Sequence, residues 1–398
     1  AMFCRPVLPV VLLAIAISTA SFAQAPVYIW SGSYGDDEHQ ISEGVAVDFD
    51  GNIIVVGGFQ GTLALGGVPL TASETDLDIF VVKFDPWGNH LWSSDFGDAS
   101  NQAGQAVAVD QFGNVVVAGY LRGEADFGGG TLTSTSDSDI FIAKFAADGV
   151  HLWSRRFGET ATQYLFDVAV DGTGNIYLCG AFEGTVDFGG RPLVCAGAMD
   201  IFIAKLDSGG NHVWSDSYGD ITYQGAKSVD VDGAGNVYLT GWFQGEVSFG
   251  GAALGSAGSK DIFLVKFDGD GSHEWSQRFG DADEDGGVGL AVDNEGNVFA
   301  AGVFYGQADF GGGLLTSHDD LDVWLARFDT DGNHVWSNRY GGNDYQAVEE
   351  LVLDTLGNLN LTGSFHTLID FGGEPLVNNG AGDNVYLAKL APDGTHLW

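Results

Sequence analysis

An all-β propeller is the fold class that this 398-residue sequence predicts, and three observations support it. Tryptophan returns every 61 or 62 residues along the chain. A second marker keeps the same period: an aspartate followed three residues later by Gly-Asn. Between the markers, apolar residues form short runs rich in Val, Ile and Phe, which indicates strands. A fixed period with about four strands per copy is typical of propeller blades.

Six copies of about 61 residues are recognisable. The tryptophans with this spacing are Trp30, Trp92, Trp153, Trp214, Trp275, Trp336 and Trp398, and the marker aspartates are Asp48, Asp110, Asp171, Asp232, Asp293 and Asp354. The third copy predicts strands over roughly 166–171, 175–182, 200–206 and 212–218. Gly and Asn between the first two strands accept the positive φ of a tight turn. The Asp-Phe-Gly-Gly segment at 187–190 predicts an extra small hairpin.

This cassette resembles a known repeat. The residues that carry the resemblance are Asp171 to Asn175, then Asp187-Phe188-Gly189-Gly190, then Asp200-Ile201-Phe202-Ile203-Ala204-Lys205 and His212-Val213-Trp214. They are similar to the bacterial seven-bladed β-propeller repeat, abbreviated SBBP, over residues 28–398. The resemblance implies an extracellular or surface propeller module without common catalytic residues.

The first 25 residues have the pattern of a secretory signal peptide. Arg5 precedes an apolar run from Val7 to Ile17, and Ala23-Gln24-Ala25 is an A-x-A cleavage site. The apolar run is too short for a stable transmembrane anchor. The sequence therefore predicts an exported protein with one propeller domain at 26–398, secreted or held at the cell surface, and the resemblance implies that it is bacterial.

The chain is strongly acidic, with a formal net charge of −39. Such a surface repels nucleic acid and anionic membranes and favours cations or basic partners. We expect a monomer that binds no nucleic acid.

Two cysteines of the third copy, Cys179 and Cys195, are a candidate disulfide. Export permits a bridge. The alternative is two thiols that pack as small hydrophobes.

Comparison of the copies separates architecture from candidate sites. A Lys or Arg in strand three and a His two residues before each Trp recur in all six copies, which indicates structural roles. The fifth copy alone contains Asp281, Asp283 and Asp285 at alternate positions before a glycine. This resembles the start of a calcium loop, although position twelve is Val292 rather than Glu. The alternative is a solvated acidic loop.

Three aromatic residues occupy positions that vary among the copies. Tyr120 and Trp242 fall in strand two, and Trp87 falls in a turn. Exposed aromatic residues on a propeller bind glycans or peptides, and extra packing is the alternative.

Ring closure is the last structural expectation. Residues 28–35 contain a fourth strand without the first three, while the sixth copy reaches only Trp398. We predict that 28–35 pairs with strand three of the sixth copy, at roughly 384–390, and that residues 396–398 are displaced. The alternative is continuation into a seventh blade.

The sequence predicts a secreted, non-enzymatic binding or scaffold module for a protein or glycan partner, with calcium as a candidate stabiliser. The alternative is a hydrolase or lyase that acts on glycans, although no catalytic constellation stands out. The axial pocket discriminates between the two, because converging copy-specific polar residues there favour an enzyme and a repetitive lining favours a scaffold.

Overall fold

The computed structural model describes residues 10–14, 28–73, 76–135, 137–318, 320–380 and 382–398. These residues form strands and turns without a helix, in a six-bladed β-propeller, which confirms the predicted fold class. Each complete blade is an antiparallel sheet of four strands in chain order, and the blades follow one another in a ring. The first strands of successive blades contact one another around the axis.

The strand bounds repeat from blade to blade. Strand one covers Gln40–Val47, Gln102–Val109, Gln163–Val170, Gln224–Val231, Asp285–Val292 and Gln346–Leu353. Strand two covers Ile53–Phe59, Val115–Leu121, Ile176–Phe182, Val237–Phe243, Val298–Phe304 and Leu359–Phe365. Strand three covers Asp78–Phe84, Asp139–Phe145, Asp200–Leu206, Asp261–Phe267, Asp322–Phe328 and Asn384–Leu390. Strand four covers His90–Phe96, His151–Phe157, His212–Tyr218, His273–Phe279 and His334–Tyr340.

The predicted extra hairpin lies between strands two and three of every blade. Its strand pairs are Thr62–Leu63 with Leu70–Thr71, Glu124–Asp126 with Thr131–Thr133, Thr185–Val186 with Leu193–Val194, Glu246–Val247 with Leu254–Gly255, Gln307–Asp309 with Leu314–Thr316, and Leu368–Ile369 with Leu376–Val377. One further pair, Val10–Ala14 with Trp30–Tyr34, precedes the first blade.

The marker aspartate builds the turn between strands one and two. In the third blade, Asp171 Oδ1 accepts the backbone N–H of Thr173 at 2.8 Å and of Asn175 at 2.9 Å. Its Oδ2 accepts the Asn175 amide at 2.8 Å, and Gly174 has a φ of 86°. Thr173 Oγ1 adds a bond to Asp171 Oδ1 at 2.7 Å, but Phe112 and Ala234 occupy the equivalent position with only their backbone N–H bonded, so the turn does not require a particular side chain there.

Neighbouring blades are joined by the repeated Lys and Trp. Lys83 Nζ lies 2.9 Å from Asp48 Oδ2 in its own blade and donates to Ala147 O of the next blade at 3.1 Å. Trp92 Nε1 donates to the same carbonyl at 3.1 Å. The predicted structural role of the lysines, an apolar stem with a paired head, is confirmed for Lys83.

The repeated histidines also have a structural role. His212 Nε2 lies 3.0 Å from Ser215 Oγ within strand four. A Cβ placed on Gly190 would lie 2.3 Å from the imidazole Cε1, so the extra hairpin can contact this ring only through glycine. This contact explains why Asp-Phe-Gly-Gly and His recur together.

The predicted closure by residues 28–35 is wrong. Trp30–Tyr34 pairs with Val10–Ala14 and not with strand three of the sixth blade. That edge is taken by the end of the chain: Lys389 N donates to Trp398 O at 2.9 Å, and Leu397 N donates to Lys389 O at 2.9 Å. A tight turn brings these residues to the edge of their own blade, and this local pairing closes a much shorter loop than pairing with residue 30 would.

Most of the predicted signal segment, at 1–9 and 15–25, lies outside the described residues. Its residues Val10–Ala14 form the strand that pairs with Trp30–Tyr34. Within the described part of the chain, no helix is long and apolar enough to span a membrane.

Candidate functional site

Copy-specific side chains meet at the axis. Every first strand has a register shift at the same position, five residues before the marker aspartate, which leaves one residue unpaired. A bulge of this kind redirects a side chain and is frequent at functional sites. The unpaired residues are Glu43, Gln105, Phe166, Lys227, Val288 and Glu349. Because six equivalent positions carry five residue types, the axial lining is not repetitive.

A cation–π contact lies in this lining. Lys227 Nζ is 3.9 Å from the ring centroid of Phe166 in the preceding blade. Burial lowers the pKa of Lys227, and the carboxylate of Glu349 opposes that shift. Glu349 belongs to the sixth blade, so groups from separate blades face one another across the axis.

Carboxyl groups dominate the rest of the axial cluster. Asp167 Oδ2 accepts Ser228 Oγ and Val229 N, each at 2.9 Å, which links the third and fourth blades. Asp230 Oδ2 accepts Val292 N of the fifth blade at 2.8 Å. Burial, with the Asp167 and Asp232 charges, raises the pKa of Asp230 to about 7. This cluster therefore holds protons that isolated carboxyl groups would lose.

Glu350 belongs to the same group. Its side chain is exposed to solvent, although protein atoms from several blades surround it. Desolvation raises its pKa, and the negative charges of Asp167, Asp230 and Glu349 raise the pKa further. Glu43 of the first blade likewise has a raised pKa, from burial and then from Glu349. Carboxyl groups that hold protons in this way can exchange them with a ligand.

A second copy-specific feature lies on the first two blades. It is found at the end of these blades where strand one turns into strand two and strand three turns into strand four. Phe49, Trp87 and Phe112 are 83%, 70% and 74% exposed. Trp87 N and Phe112 N donate to turn aspartates, but their side chains extend into solvent. A Cβ on Gly51 would lie 3.3 Å from Pro86, so the turns that carry Phe49 and Trp87 are adjacent. We call these three residues the aromatic surface.

An open cleft of about 590 Å³ separates the first and second blades at this end. Phe49, Phe112, Leu91 and Trp92 supply its apolar walls. Its acidic lining residues are Asp48, Asp50 and Asp148, and its Lys83 is paired with Asp48. The cleft combines large apolar side chains with net negative charge.

The predicted aromatic candidates separate in the structure. Trp87 is exposed and belongs to the aromatic surface. Trp242 and Tyr120 are half-buried. Lys260 Nζ lies 4.9 Å from the Trp242 ring, which packs on Gly225. Burial raises the pKa of Tyr120, whose hydroxyl responds to Arg122 and Glu43.

The carboxylates of the candidate calcium loop do not converge as the motif predicts. Asp281 accepts Asp283 N at 3.0 Å and Gln307 N at 2.8 Å. Asp98 makes the equivalent bonds in the second blade, so this role is architectural. Asp285 turns inward, 2% exposed, and accepts Asp281 N at 3.0 Å. Among the described residues, no group of three or more metal-ligating side chains is placed to hold an ion.

The candidate Cys179–Cys195 bridge is not formed. Both thiols are free. Cys179 is buried in the core shared with the fourth blade, where its Sγ lies 3.6 Å from Ala226 O. Cys195 packs against the core shared with the second blade. The two side chains lie on opposite faces of the third blade, so the alternative of two separate thiols is correct.

Several site residues escaped the sequence analysis. The axial bulge residue differs among the copies, except that the first and sixth both have Glu. The marker aspartate five residues later is the same in all six copies. This contrast was the signal in the sequence that could have indicated the axial site. Phe49 and Phe112 lie inside repeated turns, at positions that vary among the copies, as Gly172 and Ala234 show. Variation within a repeated frame therefore indicates the exposed and axial positions.

No protein-family model matches the chain. An uncharacterized WD repeat-containing protein L264 of Acanthamoeba polyphaga mimivirus is 25% identical over 158 residues, which are 35% of this chain and 11% of that protein. The regulatory protein FlaEY of Caulobacter vibrioides is 26% identical over 204 residues, 48% of this chain and 21% of that protein. The chain thus matches only 11% and 21% of the length of these curated relatives.

Three solved structures share part of the course of this chain. The Neurospora crassa Pan2 WD40 domain has a TM-score of 0.40 at 10% identity, with 81% of this chain and 75% of that chain covered. Sqt1 from Chaetomium thermophilum has a TM-score of 0.42 at 12% identity, with 88% and 84% covered. XC5397 from Xanthomonas campestris, a gluconolactonase, has a TM-score of 0.37 at 16% identity, with 82% and 84% covered. The chain is a β-propeller repeat protein with WD-repeat relatives.

Proposed function

We propose that this protein is an exported, non-enzymatic bacterial propeller that binds a protein or glycan partner through the aromatic surface of its first two blades. Membership of the SBBP group is part of the same proposal. A basic segment of a partner protein is the ligand that the surface favours. Calcium at Asp281, Asp283 and Asp285 stays a prediction outside this proposal, because no group of three or more ligating side chains is placed together among the described residues.

One observation carries this proposal: Phe49, Trp87 and Phe112 are exposed at positions where the fold requires no aromatic side chain. Exposed aromatic side chains beside a cleft are typical anchors of protein interfaces. The cleft is open rather than enclosed, which suits an extended segment more than a small molecule.

Charge indicates the chemistry of the partner. Asp50 and Asp148 line the cleft, and the only cation among the lining residues, Lys83, is already paired. The whole chain has a net charge of −39. A partner with Lys or Arg around an apolar anchor would gain attraction at long range and burial at contact.

The test is selection from a display library of random peptides on the immobilised full chain. We expect enriched peptides that combine Arg or Lys with apolar residues, and loss of their binding in a Phe49→Ala, Trp87→Ala, Phe112→Ala variant. Ile221→Ala with Tyr223→Ala is the matched control, because Ile221 and Tyr223 are 79% and 51% exposed outside these turns. Equal binding by wild type and triple variant would refute the site. Binding of neutral glycans, lost in the triple variant, would make the partner a glycan.

A second candidate function follows from the axial cluster. The converging copy-specific carboxyl groups are the observation that favours the alternative of a glycan-acting hydrolase. Asp167 and Glu350, both with raised pKa, are the acid–base candidates. Release of sugars from a polysaccharide panel that disappears in Glu350→Gln would support it. Unchanged release in Glu350→Gln and Asp167→Asn would exclude these residues.

A further inference from the structure

Lys227 differs from the other lysines of the chain in what surrounds its amine. The lysines of strand three donate to a carbonyl of the next blade, lie beside a carboxylate, or do both: Lys83, Lys144, Lys205, Lys266 and Lys389. Lys260 Nζ lies 3.8 Å from Glu284 Oε1. Within the described residues, Lys227 is the one lysine whose Nζ has neither a hydrogen-bond acceptor nor a carboxylate in contact. This amine is therefore available to a ligand.

A phenyl ring lies where a carboxylate would be expected. Lys227 Nζ is 3.9 Å from the ring centroid of Phe166, the bulge residue of the preceding blade. Phe166 stacks on Tyr164, with ring centroids 6.4 Å apart and planes 8° from parallel. Tyr164 is 39% exposed near the start of strand one, so the stack points to the end of the ring opposite the aromatic surface. Phe166 and Lys227 are half-buried, so a small molecule that enters along the axis reaches the amine.

The charged and titratable groups around Lys227 come from its own blade and from two others. Burial lowers the pKa of Lys227, while Cys179 and Glu349 oppose that shift and the charge of Lys260 adds to it. Because the pKa is lowered overall, a larger share of this amine is neutral at pH 7 than of a lysine in water. The neutral amine of a desolvated lysine is its nucleophilic form.

The axial cluster also contains a source of protons. Glu349 interacts with both Lys227 and Glu350, so the amine and the Glu350 carboxyl group share one neighbour across the axis. Burial raises the pKa of Glu350, and more of this carboxyl group therefore stays protonated at neutral pH than of an isolated one. A nucleophilic amine beside a protonated carboxyl group is the pair that condensation with a carbonyl compound requires.

We propose that Phe166 and Lys227 form an axial site for a small aldehyde, which Lys227 holds reversibly as an imine. The lone pair of Nζ forms the bond to the carbonyl carbon, and a proton passes from the nitrogen to the carbonyl oxygen. A second proton, from an axial carboxyl group such as Glu350, lets the resulting hydroxyl leave as water. The products are a protonated imine, one water molecule and a carboxylate, so the step needs no oxidant or reductant.

Charge narrows the class of aldehyde. A phosphate or carboxylate on the ligand would be repelled by Glu43, Glu349 and the rest of the axial cluster, so a neutral ligand is favoured. Hydroxyl groups on the ligand would donate to those carboxylates, and its carbon chain would pack on Phe166. The site therefore fits a neutral, short-chain hydroxyaldehyde. It lies apart from the aromatic surface and does not depend on the partner proposed for that surface.

The test treats the full chain at pH 7 with glyceraldehyde and sodium cyanoborohydride, which reduces an imine to a stable secondary amine. Peptide mass spectrometry then gives the rate of modification at each lysine. Lys260 is the matched control, because its Nζ also lies on an aromatic ring, 4.9 Å from the centroid of Trp242, but has a carboxylate nearby. We expect Lys227 to react about tenfold faster than Lys260 or more, because more of it is neutral. Equal rates, or a faster reaction of Lys260, would overturn the proposal.

A variant tests the contribution of Phe166. Gln105→Lys introduces a lysine at the bulge of the second blade, where the preceding bulge residue is Glu43 rather than a phenylalanine. The carboxylate should keep this amine charged, so we expect it to react with glyceraldehyde about tenfold more slowly than Lys227 in the same chain. Equal rates would contradict the role of Phe166 and the site with it.

A second reagent separates imine formation from the general reactivity of the amine. Acetic anhydride acylates a neutral lysine without a dehydration step, so it reports nucleophilicity alone. We expect Lys227 to react faster than Lys260 with both reagents. Fast acetylation of Lys227 together with slow modification by glyceraldehyde would overturn the aldehyde site.

Discussion

The turns of the first two blades and those of the third and fourth share one frame and differ in what they expose. Asp110 and Asp232 bind their turns in the same way, accepting two backbone N–H groups and an asparagine amide. The residue two positions later is Phe112 in one turn and Ala234 in the other. Because the frame forms equally well with alanine, Phe112 contributes nothing that the fold requires. The difference teaches that each turn contains two kinds of residue: the aspartate is needed for folding, and the exposed residue is available for recognition.

The largest expected effect is a loss of stability when the aspartate that holds a turn is removed. Asp110→Ala removes the turn acceptor and leaves Lys144, whose Nζ is 2.9 Å from Asp110 Oδ2, buried and unpaired. We expect a loss of about 3–5 kcal/mol in the free energy of unfolding. Phe112→Ala in the same turn should change it by less than about 0.5 kcal/mol. Urea unfolding measures the free energy of unfolding of both variants. Similar losses for the two would show that Phe112 is also needed for folding, which would contradict the account.

The next largest effect concerns stability at one position of strand three, which is buried in the third blade and exposed in the sixth. Ile201→Ala removes a side chain that is fully buried between the third and fourth blades, and should cost about 2–5 kcal/mol. Val385 at the equivalent position of the sixth blade is 87% exposed, so Val385→Ala should cost less than about 0.5 kcal/mol. Thermal unfolding of the two variants tests this. A cost for Val385→Ala near that of Ile201→Ala would show that this face of the sixth blade is covered in solution.

A smaller effect, on the pH dependence of stability, is expected at the first residue of strand one. Five blades begin strand one with Gln, whereas the fifth begins with Asp285. Burial, with Asp281 and Asp261 nearby, raises the pKa of Asp285 to about 7. Since this folded-state pKa lies above the unfolded value, the contribution of Asp285 to stability is full below pH 4 and is lost as pH rises from there through 7. Asp285→Gln should flatten that decline and stabilise the protein by roughly 2 kcal/mol at pH 8.

Urea midpoints of the wild type and Asp285→Gln from pH 4 to pH 8 decide this prediction. Parallel profiles would mean that Asp285 does not titrate in this range. Asp283→Asn is the matched control, because the exposed Asp283 should leave the profile unchanged.

The regular part of this molecule was predictable from sequence and the irregular part was not. Period, turn chemistry and the extra hairpin follow from residues that recur, such as Asp171 and His212. The pairing of Trp30–Tyr34 with Val10–Ala14 could not be predicted from the period, because residues 10–14 do not belong to a repeated copy. The calcium loop stays a prediction: its spacing was readable in sequence, but Asp281 accepts the same backbone bonds as Asp98, which spacing does not reveal. The axial residues required knowledge of the bulge that redirects Glu43 and Lys227.

The most direct measurement moves the aromatic surface to another place on the frame. Gly172→Phe, Gly209→Trp and Ala234→Phe put the same three side chains on the equivalent turns of the third and fourth blades, where all three residues are exposed. These changes would be made in the chain that carries Phe49→Ala, Trp87→Ala and Phe112→Ala, and titrated with the selected peptides. If the account is right, the triple alanine chain loses binding and the transferred side chains restore at least part of it. Undiminished binding by the triple alanine chain would contradict it.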